Sequence, residues 1–144
     1  MNKKLIIAAL FAIVATAAGL RHPASTNTPS QGSDITALTQ QQHVADYLHQ
    51  NQRLPSLYLS KSEARKQGWN PAKGDLCNVL PGRAIGGDRF SNREKVLPEA
   101  QGRHWFEADV NYQCGHRGSD RMLYSSDGLI FVTRDHYRHV EQVY

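Results

Sequence analysis

Two carboxylates, Glu107 and Asp109, lie two residues apart in a segment that alternates between apolar and polar side chains. In a β-strand, residues at i and i+2 point to the same side. Glu107 and Asp109 therefore share one face, and Phe106 and Ala108 share the other. Paired carboxylates on one face can accept and donate protons at a reacting group. The same pattern is also typical of the solvated face of a half-buried sheet, and spacing alone does not separate these two readings.

Two arginines, Arg117 and Arg121, bracket the tripeptide Gly-Ser-Asp. In an extended segment, i and i+4 fall on one side, so both guanidinium groups would be able to meet one anion. The alternatives are a purely solubilising role or an ion pair with Asp120. The spacing by itself carries little weight.

His136 lies between Asp135 and Tyr137, just after a predicted strand that ends near Thr133. A histidine in such a loop is free to change its charge near neutral pH, which suits a general acid. It is one of seven histidines, and none of them forms the H-x-x-x-H or H-E-x-x-H spacing of a zinc site. The sequence therefore gives little support for a metal centre.

Residues 90–94, with the sequence FSNRE, follow a pair of glycines. An aromatic ring can stack on a base, and a carboxylate can accept from the N–H groups of a purine. The segment is therefore a candidate base-binding loop. An ordinary turn is the alternative.

The elements that must position these residues change along the chain. Apolar residues with helical spacing predict a helix over 40–51, and Ser60 with Glu63 forms a capping box that begins a second helix reaching Gln67. A short helix is predicted from Asp75. Strands are then predicted over 104–112, around 122–124 and 130–132, and over 139–143. Helices followed by antiparallel strands predict an α+β fold, and the predicted core contains Val44, Tyr47, Leu48, Val110, Met122 and Ile130.

The first 18 residues have the features of a secretory signal peptide. Lys3 and Lys4 precede an uncharged apolar run over 5–14, and Ala15-Thr16-Ala17 offers a small-x-small cleavage pattern. An uncleaved anchor is the alternative, although the run is shorter than the roughly 20 residues that span a bilayer. Residues 19–36 are polar and predict a flexible linker, which leaves 37–144 as one domain.

Export would change both the charge and the redox environment of the chain. Of 17 basic and 13 acidic side chains, removal of Lys3 and Lys4 leaves 15 basic ones and a net charge of +2. A basic site must then arise from local clustering. Cys77 and Cys114 are the only cysteines, and an isolated pair in an oxidising compartment is most simply a disulfide. Two free thiols or half of a metal site are the alternatives.

Read in order, these segments resemble the barnase-type family of microbial guanyl-specific ribonucleases. The resemblance covers about residues 44–137. It rests on VADYL, LPSLYLSKSEARKQGW, KGDL, PGRAIGGDRFSNRE, EADVNY, SDRMLYSSDGLI and DHY. It implies N-terminal helices packed on a twisted antiparallel sheet. It also implies endonucleolytic cleavage of single-stranded RNA on the 3′ side of guanosine, through a 2′,3′-cyclic phosphate that is then hydrolysed, with no metal or cofactor.

The resemblance also implies a role for each matching residue. Glu107 corresponds to the general base that takes the proton of the ribose 2′-OH, and His136 to the general acid that protonates the leaving 5′-oxygen. Asp88 corresponds to a carboxylate that holds nearby cations. The cations around the phosphate would be Lys61, Arg117 and Arg121. The guanine site would comprise Phe90, Ser91, Asn92, Arg93, Glu94 and Tyr137.

The resemblance further implies a monomeric enzyme with an RNA substrate, secreted to the periplasm or the medium, with no membrane partner. A small acidic inhibitor of the barstar type is expected to block its cationic site. Two other hypotheses remain at this point. One is a catalytically weak RNA-binding or toxin-effector module on the same fold. The other is a metal-dependent nuclease that uses the histidines. The cysteine pair is not part of the family pattern.

Overall fold

The computed structural model describes residues 31–144. The predicted signal peptide (1–18) and residues 19–30 of the predicted linker lie outside the described residues. The end of that linker prediction is wrong, because helix α1 spans Gln31–Leu38 and Ile35 is fully buried. After this helix, Thr39 accepts hydrogen bonds from the backbone amides of Asn111 and Tyr112, at 2.7 and 3.0 Å. The folded domain therefore begins before residue 37.

Three further helices follow, and two of them agree closely with the sequence pattern. Helix α2 spans Gln41–Asn51, α3 spans Lys61–Lys66 and α4 spans Leu76–Val79, with a 3-10 turn at Pro71–Lys73. The predicted start of α3 is confirmed, because the Ser60 side chain accepts a hydrogen bond from the Glu63 amide at 3.2 Å. Between residues 31 and 144, no helix combines the length and apolar content needed to cross a bilayer.

The helices pack on one six-stranded sheet whose spatial order follows the chain. Its strands are β1 (Tyr58–Leu59), β2 (Ala84–Phe90), β3 (Trp105–Asp109), β4 (Arg121–Ser125), β5 (Ile130–Thr133) and β6 (Glu141–Gln142). Strands β2 to β6 are antiparallel, as the sequence predicted for β3 to β6. The short β1 is missing from the sequence prediction and pairs with β2 in parallel, which makes the sheet mixed. The α+β class is confirmed.

The sheet is buried on both faces. The main core lies between the helices and one face and contains most of the predicted core, including Val44, Leu48 and Met122. Tyr47 is an exception, because it is only half-buried. A smaller cluster on the opposite face contains Leu97, Trp105, Leu123 and Phe131. The solvated face of a half-buried sheet was one interpretation of the alternating pattern. The face that carries Glu107 is instead partly covered by this second cluster.

Cys77 and Cys114 form a disulfide, which confirms that interpretation over two free thiols or half of a metal site. Their Cα atoms lie 5.6 Å apart, within the range of ordinary disulfides. The bond ties α4 to the loop after β3. Because Arg117 follows Cys114 by three residues in that loop, the disulfide limits where Arg117 can lie.

Candidate active site

Glu107 lies at the centre of a group of polar side chains on β3. Its Oε1 accepts a hydrogen bond from the Tyr137 hydroxyl and lies 3.8 Å from Arg121 Nε. Its Oε2 lies 3.6 Å from Lys61 Nζ. The side chain is 13% exposed. A carboxylate that remains open to solvent and is surrounded by cations can accept a proton from a bound ligand.

The two arginines of the predicted pair do meet one anion, and that anion is Asp109. Arg117 donates to both Asp109 oxygens, at 2.8 and 2.7 Å, and Arg121 Nε lies 3.2 Å from Oδ1. Burial by itself lowers the pKa of Arg117, but the hydrogen bonds and charge of Asp109 outweigh this effect, so its pKa lies above the ordinary value. Asp109 thus fixes two cations beside Glu107.

The Nε–H of Arg121 is a buried donor that no acceptor satisfies with hydrogen-bond geometry among the described residues. Its Nη1 is engaged, because it donates to the carbonyl oxygens of Gly118 and Asp120, at 2.7 and 3.1 Å. A buried donor without an acceptor is costly, and the charge of the Asp109 carboxylate, whose Oδ1 lies 3.2 Å from this nitrogen, offsets part of that cost. The alternative, an ion pair between one of these arginines and the Asp120 carboxylate, is not formed. That carboxylate accepts from Asn111 Nδ2 at 2.8 Å.

Lys61 reaches the site from the first residue of α3, and Asp88 holds the start of that helix. The Oδ2 of Asp88 accepts a hydrogen bond from the Lys61 backbone amide at 3.0 Å. An irregularity in β2 between Gly86 and Asp88 makes this contact possible. Gly87 adopts a φ of +104°, and Asp88 then pairs across the sheet with Glu107. Asp88 therefore positions the Lys61 main chain, whereas the family resemblance assigned it to the cations themselves.

The loop after β5 presents His136 and Tyr137 to the site. Both residues have left-handed backbone conformations, with φ values of 55° and 74°, which are uncommon outside glycine. The Tyr137 amide donates to Thr133 Oγ1 at 3.0 Å, and the His136 amide donates to the Ser119 carbonyl at 3.1 Å. The His136 side chain is exposed. The imidazole meets the Tyr137 ring edge-on, with centroids 4.7 Å apart, and the Tyr137 hydroxyl bonds Glu107.

Asp135 fastens the other end of this loop. Its carboxylate accepts from the Thr133 hydroxyl at 3.0 Å and from the His139 amide at 2.9 Å, and Oδ2 lies 2.6 Å from His139 Nδ1. The hydrogen bonds from the His139 side chain and amide are the main reason that the pKa of Asp135 is well below its usual range. The carboxylate thus stays ionised, and the loop stays fastened, in mildly acidic solution.

Tyr137 connects the carboxylate site with the predicted base-binding loop. Burial, together with the hydrogen bond to Glu107, raises the pKa of its phenol, so the hydroxyl remains a donor at neutral pH. Its ring stacks on Phe90, with centroids 4.9 Å apart and planes 17° apart. The base pocket, as we call it, is an open cavity of about 480 Å³ lined by Phe90, Ser91, Arg93, Glu94, Val96, His136 and Tyr137.

Six of the predicted guanine-site and acid residues therefore line one pocket, and Asn92 does not. The Asn92 side chain is buried, donates to the Leu97 carbonyl at 2.9 Å and to Glu99, and accepts from the Leu97 amide at 3.0 Å. With a φ of 51°, it forms the tight turn of the loop. Asn92 shapes the loop from within, and its side chain has no contact to spare for a ligand.

The sequence analysis assigned no positioning role to Asp109, Thr133 or Asp135, and considered Asp109 only as a second carboxylate for acid–base chemistry. Only Asp109 had a usable signal, because it shares a strand face with Glu107. Within residues 31–144, no three His, Cys, Asp or Glu side chains come together as a possible metal-binding group. The arrangement offers a carboxylate base, a separate imidazole and three cations, which together suit proton transfer around an anionic group.

Comparison with known proteins agrees with this chemistry. A family model described as ribonuclease matches residues 41–144. The chain is similar to a ribonuclease of Heyndrickxia coagulans, with 57% identity over 94 residues that cover 65% of this chain and 86% of the relative. It is equally similar to ribonucleases of Bacillus intermedius and Bacillus pumilus. In those two cases the aligned part spans 58% of the relative's length.

Proposed function

The chain belongs to the ribonuclease family, as a barnase-like microbial member, and on that premise we propose that it is a guanyl-preferring endoribonuclease. It cleaves single-stranded RNA on the 3′ side of guanosine. The first step forms a 2′,3′-cyclic phosphate, and the second hydrolyses it. The observation that carries this proposal is the position of Glu107 between Tyr137, Lys61 and Arg121, next to the loop that presents His136.

RNA supplies its own nucleophile, the ribose 2′-OH, so the protein has only to move protons and stabilise charge. Glu107 takes the 2′-OH proton as the oxygen attacks phosphorus. His136 donates a proton to the departing 5′-oxygen. In the second step the roles reverse, because His136 removes a proton from water and Glu107 returns one to the 2′-oxygen.

Charge on the phosphoryl oxygens increases as the new bond forms. Arg121 supplies positive charge from β4, with its Nε 3.8 Å from Glu107 Oε1. Lys61 and Arg117 add positive charge from α3 and from the loop after the disulfide. Donors fixed in advance stabilise the transition state more than the substrate. The ion pairs with Asp109 hold both arginines in place before substrate arrives.

The base pocket supports the preference for guanine. Phe90 and Tyr137 present stacked rings at one side of the cavity, and the exposed Glu94 carboxylate lies at its rim. A carboxylate can accept from the N1–H and N2–H groups of guanine, whereas adenine has an acceptor nitrogen and a C–H group at these two positions. Backbone amides of Ser91 and Arg93 would serve the guanine O6, which is an acceptor.

The role assignment is tested with Glu107→Gln and His136→Gln. Each variant should lose between about 10²- and 10⁴-fold in kcat on a GpA dinucleotide, the usual contribution of a general acid or base. Glu63→Gln and His43→Gln are matched controls, because these residues are exposed on the helices and outside the site. Either active-site variant cleaving at the parent rate would contradict the assignment. Cleavage should also continue in the presence of a chelator.

The base preference is tested with Glu94→Gln, which keeps the shape of the side chain. Hydrogen bonds to a charged group contribute roughly 1.5–3 kcal/mol, so the GpA over ApA preference in kcat/KM should fall by about 10- to 150-fold. ApA cleavage should change little. A parent-like preference in this variant would place guanine recognition elsewhere, while leaving the acid–base assignment intact.

We also propose that the protein is exported as a monomer and is neutralised by a small acidic inhibitor. The signal-like residues 1–18 and the disulfide, which persists in oxidising compartments, support export. The cations around Glu107 are suited to an acidic surface, since complementary charges speed association. Cell fractionation with an N-terminal sequence of the mature chain would test export. Recovery of activity after removal of a bound acidic protein would test the inhibitor.

A further inference from the structure

A second cavity of about 150 Å³ lies where the end of α2 leaves the sheet uncovered. Phe106 alternates with Glu107 along β3, so the cavity is on the opposite face of the sheet from the active site. One wall is the Phe106–Tyr124 pair, whose ring centroids are 5.5 Å apart. Leu48 and Ile130 add apolar surface. We call this cavity the helix-end pocket.

The size and lining of the helix-end pocket suit one flat ring with a polar edge. An apolar cavity of roughly this volume holds a single benzene ring. Four polar side chains also line it, those of His49, Gln52, Ser125 and Ser126. Ser126 Oγ accepts from the His104 amide at 2.9 Å, which leaves its hydroxyl hydrogen available to donate. Among the described residues, none forms a hydrogen bond with the side-chain amide of Gln52, which can both donate and accept.

The surroundings of the pocket favour an anionic ligand. Arg89 lies against the aromatic wall, with Cζ 5.8 Å from the centroid of the Phe106 ring, and its Nη2 lies 3.0 Å from His104 Nδ1. None of the residues that line the pocket is acidic. The nearby Asp127 is paired with Arg103 at 3.0 Å. An aromatic wall beside a guanidinium group is typical of sites that bind single-stranded nucleic acid.

We propose that the helix-end pocket binds a pyrimidine base of the RNA substrate, at a subsite remote from the cleaved bond. The proposal rests on the ribonuclease activity. The free edge of β2 offers a path, because β1 pairs only with Ala84 and Ile85. Farther along that edge, Phe90 faces the base pocket and Arg89 faces the Phe106 ring. Neighbouring strands are about 4.8 Å apart. A segment of a few nucleotides is therefore long enough to pass around the edge of β2 from one face of the sheet to the other.

Kinetics on short and long RNA test the proposal. Phe106→Leu removes the stacking ring and keeps an apolar side chain. It should raise KM for a long single-stranded RNA at least about 5-fold, the lower end of what one base–aromatic stack contributes, with kcat unchanged. KM for the dinucleotide that the parent cleaves fastest should not change. Phe106→Tyr keeps the ring and should behave as the parent on both substrates.

Two kinetic outcomes would overturn the proposal. One is an unchanged KM for long RNA. The other is an equal rise on the dinucleotide, which would show a general disturbance of the active site. Because the dinucleotide is chosen by the parent's own preference, an error in the assigned guanine specificity does not affect the comparison. Tyr124→Leu, which alters the same wall from β4, should repeat the result.

Binding of cytidine, measured by NMR, gives a readout that does not require catalysis. Cytidine should shift the Gln52 side-chain amide signals and the Gly128 backbone amide in the parent, and not in Phe106→Leu. The active-site amides report separately on any binding at the base pocket. The absence of shifts at Gln52 and Gly128, or equal shifts with the larger guanosine, would contradict a pocket sized for one ring.

Discussion

Replacing Asp109 with Asn keeps the size of the side chain and removes the charge that two arginines share. Asp109 is 2% exposed and Arg121 is 5% exposed. The Asp109 carboxylate binds Arg117 at 2.7 and 2.8 Å, and Arg121 at 3.2 Å. Removing one partner from a buried ion pair costs about 3–5 kcal/mol. Glu107, 3.8 Å from Arg121 Nε, offsets part of this cost, so we expect a loss near 3 kcal/mol in the free energy of unfolding.

Urea unfolding at neutral pH measures this loss, and the m-value should stay the same because the folded chain buries the same surface. Asp127→Asn is the matched control. Asp127 also receives two bonds from one arginine, Arg103, at 3.0 Å each, but its side chain is 49% exposed. Since water screens exposed pairs, the control should lose much less stability.

Inorganic phosphate separates the proposed cause from a general packing defect. In Asp109→Asn, Arg117 and Arg121 lack their shared anion, and a phosphate bound between them would replace it. A ligand that binds only the folded state stabilises it by RT ln(1 + c/Kd), where c is the free ligand concentration, so tighter binding gives a larger effect at the same concentration. Phosphate should therefore raise the variant's stability more than the parent's. A loss below about 1 kcal/mol, or an equal phosphate effect in both proteins, would refute the reasoning.

Three further predictions follow from the loops around the site. Cys77→Ala should lower the free energy of unfolding by about 4 kcal/mol, the entropic value of a loop closed over 37 residues, measured against the parent with its disulfide intact. Tyr137→Phe keeps the stacking ring but loses the hydrogen bond to Glu107. The free energy of unfolding, measured with urea, should therefore fall by about 1.5–3 kcal/mol, while KM for the GpA dinucleotide stays near the parent value. The lowered pKa of Asp135 stabilises the fold above its unfolded pKa of about 3.9. The difference in the free energy of unfolding between the parent and Asp135→Asn, measured with urea at a series of pH values, should therefore have its full value above roughly pH 5. It should disappear at lower pH, where acid protonates the Asp135 carboxylate of the folded parent.

Features that depend on neighbours in the chain were predicted well. The Ser60 and Glu63 pair begins α3 as expected, because a capping box is completed within one helical turn. The antiparallel strands followed from alternation. The strand predicted over 104–112 is shorter in the structure, since Asn111 adopts a φ of 54° and ends the pairing.

Features that depend on distant contacts were not predictable from spacing. The polar segment around Ile35 becomes helical because residues about 75 positions later anchor its end at Thr39. Strand β1 has two residues, too few to show a period. From the pattern alone, Glu107 was one carboxylate of a strand and His136 one histidine of seven. The ordered resemblance identified them, and the hydrogen bonds of Thr133 and Asp135 explain how the loop presents His136.

The small cluster of Leu97, Trp105, Leu123 and Phe131 supports one part of the domain, and a different set of contacts holds the carboxylate and arginine group. It lies under the loop that follows β2, and Asn92 closes that loop onto Leu97. The carboxylate and arginine group is instead tied to the sheet through Asp109 and to α4 through the disulfide. Tyr137 joins the two, because it packs against the cluster and bonds Glu107, so a substitution in the cluster is expected to disturb both the loop and the carboxylate site.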